Sequence, residues 1–346
     1  MKHLTNVCGK DTKSEIRVGL HVTISGGISN SVDNALQMNC TAFQIFSRNP
    51  KGWAAKPLLA YDLENFKIKL KGSKIRKDSV CVHMPYLPNL SSPHSLLYEK
   101  SVLVFLEEIR RCSLLGIPYL VLHLGSNLGS GKEAGINQFV KACIFALENY
   151  NSLLPSSSSL PSKISITSSS ISSSYSSSPT FTAKFGVTKQ EEGEQDSSNK
   201  VTILLENNVG HKNTIGSKFE DIRLILDKLS SFPNFVGVCF DSCHAFAAGY
   251  DLRSIDSVES TLEQFDDIIG LKNLKLVHLN DSREGLGSNR DRHESLGQGR
   301  IGNEGIGALC THKPISSIPF IMETPREKHK EDMKTIHSLI ANKPQA

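Results

Sequence analysis

Short, nearly unbroken runs of Val, Ile, Leu and Phe recur along this chain, and the stretches between them carry apolar residues at helical spacing. The runs are Arg17–His21, Ala42–Phe46, Val80–His83, Tyr119–His123, Val201–Glu206, Val236–Asp241, Leu274–His278 and Ile318–Glu323. Uninterrupted apolar strands of this kind are covered on both faces, as in a parallel sheet flanked by helices. The helical patterns are Ser31–Met38, Leu59–Leu70, Ser95–Leu115, Ala134–Asn149, Phe219–Leu229, Val258–Ile269, Asn303–Leu309 and Lys328–Ile340. Eight strands, each followed by a helix, is the count of an α/β single (β/α)8 TIM barrel. A doubly wound open sheet shares the alternation, but no glycine-rich phosphate fingerprint follows the first strand. The barrel is the better reading.

One segment breaks the alternation. Sixteen serines fall between Ser152 and Ser178, and a polar stretch of mixed charge follows as far as Lys200. Such composition buries too little apolar surface to offset the entropy of ordering, so residues 151–199 read as a low-complexity, disordered insertion between the fourth helix and the fifth strand. Residues 1–16 read as an N-terminal extension, leaving 17–150 and 200–342 as one domain. That is about 280 residues, enough for a barrel of the usual size.

Composition alters this picture little. The chain has 346 residues, 38% hydrophobic and 21% charged, with a formal charge of +4. A balance so close to neutral permits a polyanionic partner without requiring one. No apolar run approaches the roughly 20 residues of a membrane span, and Met1–Arg17 lacks the apolar core of a secretory signal. The expected location is inside the cell: the nucleus if the host is eukaryotic, with the mitochondrion or cytoplasm as alternatives. Of eight cysteines, Cys81, Cys239 and Cys243 lie in or beside apolar strands, which favours buried free thiols over disulfides.

The chemistry is suggested by where polar residues interrupt the pattern. His21, His83, His123, Glu206, Asp241, His278 and Glu323 each end a predicted strand. In a parallel barrel all these ends lie at one face. His244 follows three residues after Asp241, while Asp291 and His293 sit in a glycine-rich loop after the seventh strand and, in extended backbone, project to the same side. Singly, each has a plain explanation: a strand-end histidine is commonly hydrogen-bonded, and an aspartate there often caps the next helix. Together they would crowd carboxylates on one rim, which is unfavourable without cations. Imidazole and carboxylate donors without a thiolate set suit zinc, with manganese or iron as substitutes. More than six donors exceed one ion, so a multinuclear site is expected.

Three long stretches carry a resemblance. Phe240–Asp251 (FDSCHAFAAGYD), His278–Asp281 (HLND) and Asp291–Gly299 (DRHESLGQG) closely resemble signatures of the endonuclease IV family of apurinic/apyrimidinic endonucleases. Gly19–Val22, Ser25–Gly27 and Phe46–Asn49 are similar to the opening of that family. The resemblance runs from about Arg17 to about Ile336, broken by the serine-rich segment. It implies a base-excision-repair enzyme using three zinc ions. His83, His123 and a bridging Glu206 would hold the first, and Asp241, His278 and Glu323 the second, which shares Glu206. His244, Asp291 and His293 would hold the third. His21 matches the family pattern without being a direct ligand, and is expected beneath the site, orienting those that are. The implied reaction is hydrolysis 5′ to an abasic site, leaving a 3′-hydroxyl and a 5′-deoxyribose phosphate, together with removal of 3′-blocking groups. Glu206 and Glu323 are the expected catalytic carboxylates.

A recessed metal cluster reaches its target only when the damaged nucleotide leaves the stack. The implied partner is therefore double-stranded DNA with abasic or 3′-blocked damage, bound by a monomer. Candidate DNA contacts are Arg48, Asn49 and Lys51 after the second strand, Tyr86 and Leu87 after the third, and Arg290 after the seventh. Here the chain departs from the family: Lys51 and Gly52 stand where an arginine and a glutamine form a wedge. Arg48 or Lys51 then substitutes, or the wedge is weaker. Trp53 suits core packing and a DNA role equally. A metal-dependent sugar isomerase or epimerase is the competing function, since related barrels carry similar rims; the set His244, Asp291 and His293 is what separates the two.

Overall fold

The computed structural model describes residues 16–153, 165–167, 182–184 and 200–342. Strands β1 (Val18–His21), β2 (Ala42–Phe46), β3 (Val80–His83), β4 (Tyr119–His123), β5 (Thr202–Glu206), β6 (Val236–Asp241), β7 (Leu274–His278) and β8 (Phe320–Met322) pair in parallel. Their order around the sheet is β1-β8-β7-β6-β5-β4-β3-β2, and the sheet closes on itself. Each strand leads into one of eight principal helices: α1 (Asn30–Gln37), α2 (Ala60–Gly72), α3 (Ser95–Leu115), α4 (Lys132–Glu148), α5 (Phe219–Lys228), α6 (Ile255–Ile268), α7 (Gly302–Thr311) and α8 (His329–Ala341). This is the expected TIM barrel.

Side chains alternate across a strand, and the alternation decides what faces the barrel axis. Ala42, Cys81, Val121, Leu204, Cys239, Leu276 and Ile321 form a fully buried inner cluster. Their strand neighbours, among them Phe43, Val82, Leu122, Leu205, Phe240 and Val277, belong to the larger core shared with the helices. Two residues beyond each inner position the chain points inward again, now at the strand's C-terminal end. Those positions are Gln44, His83, His123, Glu206, Asp241, His278 and Glu323. Registration holds the ring level, with His123 beside Glu206 and Asp241 beside His278. Gly19 lets the first strand join it: a Cβ there would lie 1.6 Å from the Ala42 carbonyl oxygen.

Most element limits agree with the sequence pattern to within a few residues, and the differences have local causes. α6 starts three residues early because Ser254 and Ser257 form a reciprocal capping box, which satisfies otherwise orphaned amides of the first turn. Two elements had no clear sequence signal: the short helix Ser242–Ala247, and an antiparallel ladder pairing Asp281–Ser282 with His293–Glu294. All seven described cysteines are free and buried. Among the described residues no helix is long and apolar enough to cross a membrane.

The folded body extends past its expected limit at residue 150. A helical turn, Tyr150–Leu153, follows α4, and Leu153 is 1% exposed, so its apolar side chain belongs to the core rather than to the polar segment. The disorder expected of 151–199 otherwise falls outside the described residues, apart from the backbone of a small antiparallel ladder, Ser165–Thr167 with Thr182–Lys184. The extension expected at 1–16 also lies outside them, except for Ile16. The two ends of the serine-rich segment are pinned together, because the Val201 amide donates to the Tyr150 hydroxyl at 2.7 Å. That point lies at the N-terminal end of β5, opposite the polar ring. Replacing residues 155–198 with a short Gly-Ser linker is expected to leave the melting temperature unchanged or slightly higher, since each halving of loop length is worth only about 0.6 kcal/mol. A fall of many degrees in differential scanning calorimetry would contradict this.

Candidate metal centre

The ring gathers ligand-type atoms into overlapping groups, each with all its donor atoms within 4.8 Å of one another. One is His83, His123 and Glu206; another is Glu206, Asp241, His278 and Glu323; a third is His244, Asp291 and His293. These are the three expected sets, with Glu206 common to two. Glu206 lies between its neighbours. Oε2 is 3.2 Å from both His83 Nε2 and His123 Nδ1, while Oε1 is 2.9 Å from His278 Nδ1. The Glu323 Oε2 oxygen is 3.3 Å from the same His278 nitrogen. In the third set Asp291 Oδ1 lies 3.4 Å from His244 Nε2 and 3.3 Å from His293 Nε2. A fourth group, Asp241, Cys243 and His293, also falls within the same limit.

Most of these imidazoles are oriented by backbone carbonyls. Nδ1 of His83 faces the Met84 carbonyl oxygen at 2.7 Å, Nδ1 of His244 that of Asn207 at 2.9 Å, and Nδ1 of His293 that of Glu323 at 3.3 Å. Donating there turns Nε2 to the centre, the usual arrangement behind a metal-binding histidine. His123 Nδ1, His244 Nε2 and His293 Nε2 are buried and make no hydrogen bond. Buried polar atoms are nearly always satisfied, so three nitrogens that face carboxylate oxygens at 3.2–3.4 Å without forming a hydrogen bond fit a site built for cations.

Asp241 meets both readings of its position. Its Oδ1 caps the short helix Ser242–Ala247 by accepting the His244 amide at 2.7 Å, and its Oδ2 accepts from Asn280 Nδ2 at 2.7 Å. The cap fixes the step from Asp241 to His244, so one residue feeds two donor sets. Asp281 arranges the loop that brings in Asp291 and His293. Its carboxylate accepts the amides of Ser282, Gly297, Gly299 and Ile301 at 2.7–3.0 Å, and a Cβ on Gly299 would lie 2.4 Å from it.

Charge in the ring is strongly coupled. Burial disfavours ionised Glu206, but His123, His278 and His83 outweigh it and hold its carboxyl well below the usual range. Glu323 is depressed likewise, burial being overcome by His278, His21 and His83. Burial alone would lower His244; Asp241, Asp291 and Glu206 instead carry it up to about 10. Asp291 is held down to about 2, again against its burial, by His244 and His293. Without ions, protons on His83, His244 and His278 balance these carboxylates.

His21 is where the pattern put it. Its Nδ1 lies 3.5 Å from Glu323 Oε1 and 3.0 Å from Gln44 Nε2. Four residues around the ring were not singled out from sequence: Gln44, Asn207, Asn280 and Asp281. For Gln44 the signal was available, as a polar residue inside an apolar strand two positions after Ala42. Asn280 and Asp281 stand in the HLND stretch, but their roles, like that of Asn207, were not legible there, because their partners come from other strands and loops.

Arg48 requires a correction. It is 6% exposed, its guanidinium pairs with Glu108 of α3, and Glu108 also accepts from Ser47 at 2.6 Å. Arg48 is thus turned inward as an anchor of the loop after β2, and is not placed to reach DNA or to replace a missing wedge. Glu108 and Arg111 lie on the buried side of α3, a pairing that adjacency in sequence does not reveal. Asn49 and Lys51 of the same loop are exposed, and the Lys51 amide donates to Asn49 Oδ1 at 3.0 Å. Trp53 is 38% exposed and is no core residue. Tyr86 and Leu87 stand exposed at the rim, with the Tyr86 ring stacked 6.3 Å from that of His123. Arg290 is exposed in the loop after β7.

A closed parallel barrel with imidazole and carboxylate donors at its C-terminal rim defines the class, and the matching family model agrees: the chain is a xylose isomerase-like TIM barrel, matched over residues 32–152 and 190–341. Within that class, probable endonuclease 4 of Nitrosopumilus maritimus is 44% identical over 321 residues, spanning 93% of this chain and 98% of the relative. Probable endonuclease 4 of Cenarchaeum symbiosum is 43% identical over the same length, 93% of this chain and 97% of the relative. The chain belongs to the endonuclease IV family. The crystal structure of endonuclease IV from Thermus thermophilus superposes with a TM-score of 0.71 at 28% identity, covering 94% of this chain and 99% of that one. A D-tagatose 3-epimerase-like protein superposes at 0.59 with 16% identity, over 95% of this chain and 100% of its own, a likeness of fold alone.

Proposed function

We propose that this chain is a zinc-dependent DNA-repair endonuclease that hydrolyses the phosphodiester 5′ to abasic sites, leaving a 3′-hydroxyl and a 5′-deoxyribose phosphate, and that removes 3′-blocking groups. The observation that carries the reading is the convergence of nine side chains into three neighbouring donor sets, two of them sharing Glu206, with buried imidazole nitrogens that face them and make no hydrogen bond. His83, His123 and Glu206 would hold one ion; Glu206, Asp241, His278 and Glu323 a second; His244, Asp291 and His293 a third. Ions so held supply an acidified water for in-line attack on phosphorus and neutralise charge on the departing 3′-oxygen.

The chain's own groups do the rest. Glu206 joins two sets through its two oxygens and so fixes their separation. Glu323, already ionised and held between His278 and His21, orients the attacking water and accepts its proton. Tyr86, exposed beside His123, and its exposed neighbour Leu87 fill the gap left when the abasic nucleotide swings out. Lys51, Asn49 and Arg290 contact the phosphates flanking it.

Relatives named as endonucleases and the third donor set both favour this reading over sugar isomerisation, for which one or two ions in a closed pocket suffice. The test is incubation with a duplex carrying one abasic site and, in parallel, with ketose sugars. Incision on the 5′ side and unchanged ketoses are expected. Loss of the Tyr86 and Leu87 side chains (Y86A/L87A) should weaken binding to the abasic duplex about 5- to 150-fold or more, as the loss of one aromatic stacking contact of about 1–3 kcal/mol implies. Ketose conversion without DNA incision would overturn the assignment.

A further inference from the structure

Beneath the ring one uncharged side chain touches more of the centre than its chemistry would suggest. Gln44 is fully buried, on β2 between His21 of β1 and Cys81 of β3. Its Nε2 donates to Glu323 Oε1 at 2.6 Å and lies 3.0 Å from His21 Nδ1. Its Oε1 lies 2.9 Å from His278 Nε2 and 3.2 Å from the Cys81 thiol. Both ends of the amide are therefore fully occupied.

The orientation of that amide is forced. Ionised Glu323 can only accept, so the NH2 end of Gln44 must face it. The carbonyl end then faces His278, whose Nε2 must carry a proton to donate. That directs His278 Nδ1 toward Glu206 Oε1 at 2.9 Å, Glu323 Oε2 at 3.3 Å and Asp241 Oδ2 at 3.7 Å. His83, His244 and His293 are oriented by backbone carbonyls, which no substitution removes. His278, by contrast, relies on a side-chain amide, and the same amide holds Glu323.

We infer that Gln44 is a positioning residue for one ion of the three, locking His278 with Nδ1 inward and Glu323 with Oε2 inward, so that the set Glu206, Asp241, His278 and Glu323 is preorganised while the other two sets do not depend on it. The inference rests on the metal-centre reading and deepens it. Gln44 contacts neither substrate nor reacting atoms. It acts through two ligands, from below, and its neutral amide supplies a donor to a carboxylate and an acceptor to an imidazole in one side chain. An ionised Glu lacks the donor, and Met lacks both groups.

The test is a zinc competition titration with a chelating dye on wild-type protein, Gln44→Met and Gln44→Glu, with melting of the metal-free proteins alongside. Gln44→Met keeps the volume and removes all four hydrogen bonds of the amide. Wild type should bind three equivalents; Gln44→Met should keep two at wild-type affinity and bind the remaining one about 10- to 100-fold more weakly, the usual consequence of losing a group behind a metal ligand. Gln44→Glu, which sets a carboxylate against Glu323, should weaken that ion at least as much, and carries the test if Gln44→Met fails to fold. Unchanged affinities for all three ions in the variants would overturn the inference while leaving the metal centre intact. Uniform weakening of all three, with a large fall in metal-free melting temperature, would also overturn it, by showing a merely structural role. Wild-type protein that takes up no zinc would overturn the metal-centre reading itself.

Discussion

Substituting Glu206 by glutamine is expected to abolish incision of abasic DNA while leaving the barrel folded. Glu206 presents one oxygen to His83 and His123 and the other to His278, and so is the carboxylate common to the first two donor sets. An amide retains the shape but replaces one acceptor with a donor, so the two sets lose their shared ligand and their fixed separation. A rate loss of about 1,000-fold or more corresponds to roughly 4 kcal/mol of barrier, the scale of dismantling a bridging site rather than trimming a contact. The measurement is single-turnover incision with metal content determined on the same sample. Near-normal turnover at full metal loading would remove Glu206 from the mechanism.

Removing the ions should expose the second large effect, a pH dependence that the loaded protein lacks. In the metal-free ring, imidazolium groups replace cations, and His244 is carried up to about 10 by Asp241, Asp291 and Glu206 despite its burial. A group raised on folding stabilises the native state fully below its unfolded value of about 6.5, and that contribution is lost as pH rises through the folded value. Metal-free protein should therefore melt progressively lower between about pH 6.5 and 10, by an amount on the order of a few kcal/mol. Zinc must displace these protons, so binding at neutral pH should release them and give calorimetric enthalpies that vary with buffer. Each ion at about 1,000 times its Kd adds about 4 kcal/mol. Three should raise the melting temperature by about 25 °C or more, given roughly 2–4 °C per kcal/mol for a large domain. A metal-free protein whose melting temperature is flat across that range would show that the carboxylates are not balanced by imidazolium.

The site was more legible in the sequence than its surroundings because strand-end position is itself a geometric statement. Once a strand is recognised and its inner residue known, the residue two places on is fixed in direction, and so His83, His123, Glu206, Asp241, His278 and Glu323 could be named together. Arg48 shows the opposite case. A loop arginine beside an expected DNA contact is a sound candidate until Glu108, sixty residues away, is seen to hold it. Asp281 is similar: its role as acceptor for the amides around Gly297–Ile301 exists only once the loop has folded back upon it.

Periodicity and the placement of polar residues at strand ends determined the barrel, the convergence of six strand-end donors and the position of the serine-rich segment, because each depends on local geometry that repeats along the chain. What only the tertiary structure decided was which lone pairs remain available: Nε2 on His83, His244 and His293, Nδ1 on His278, and the inward turn of Arg48. Those outcomes depend on hydrogen bonds between residues far apart in sequence, such as Gln44 with His278 and Glu323. Such bonds are set by how strands register and loops close, and a linear pattern carries no record of them.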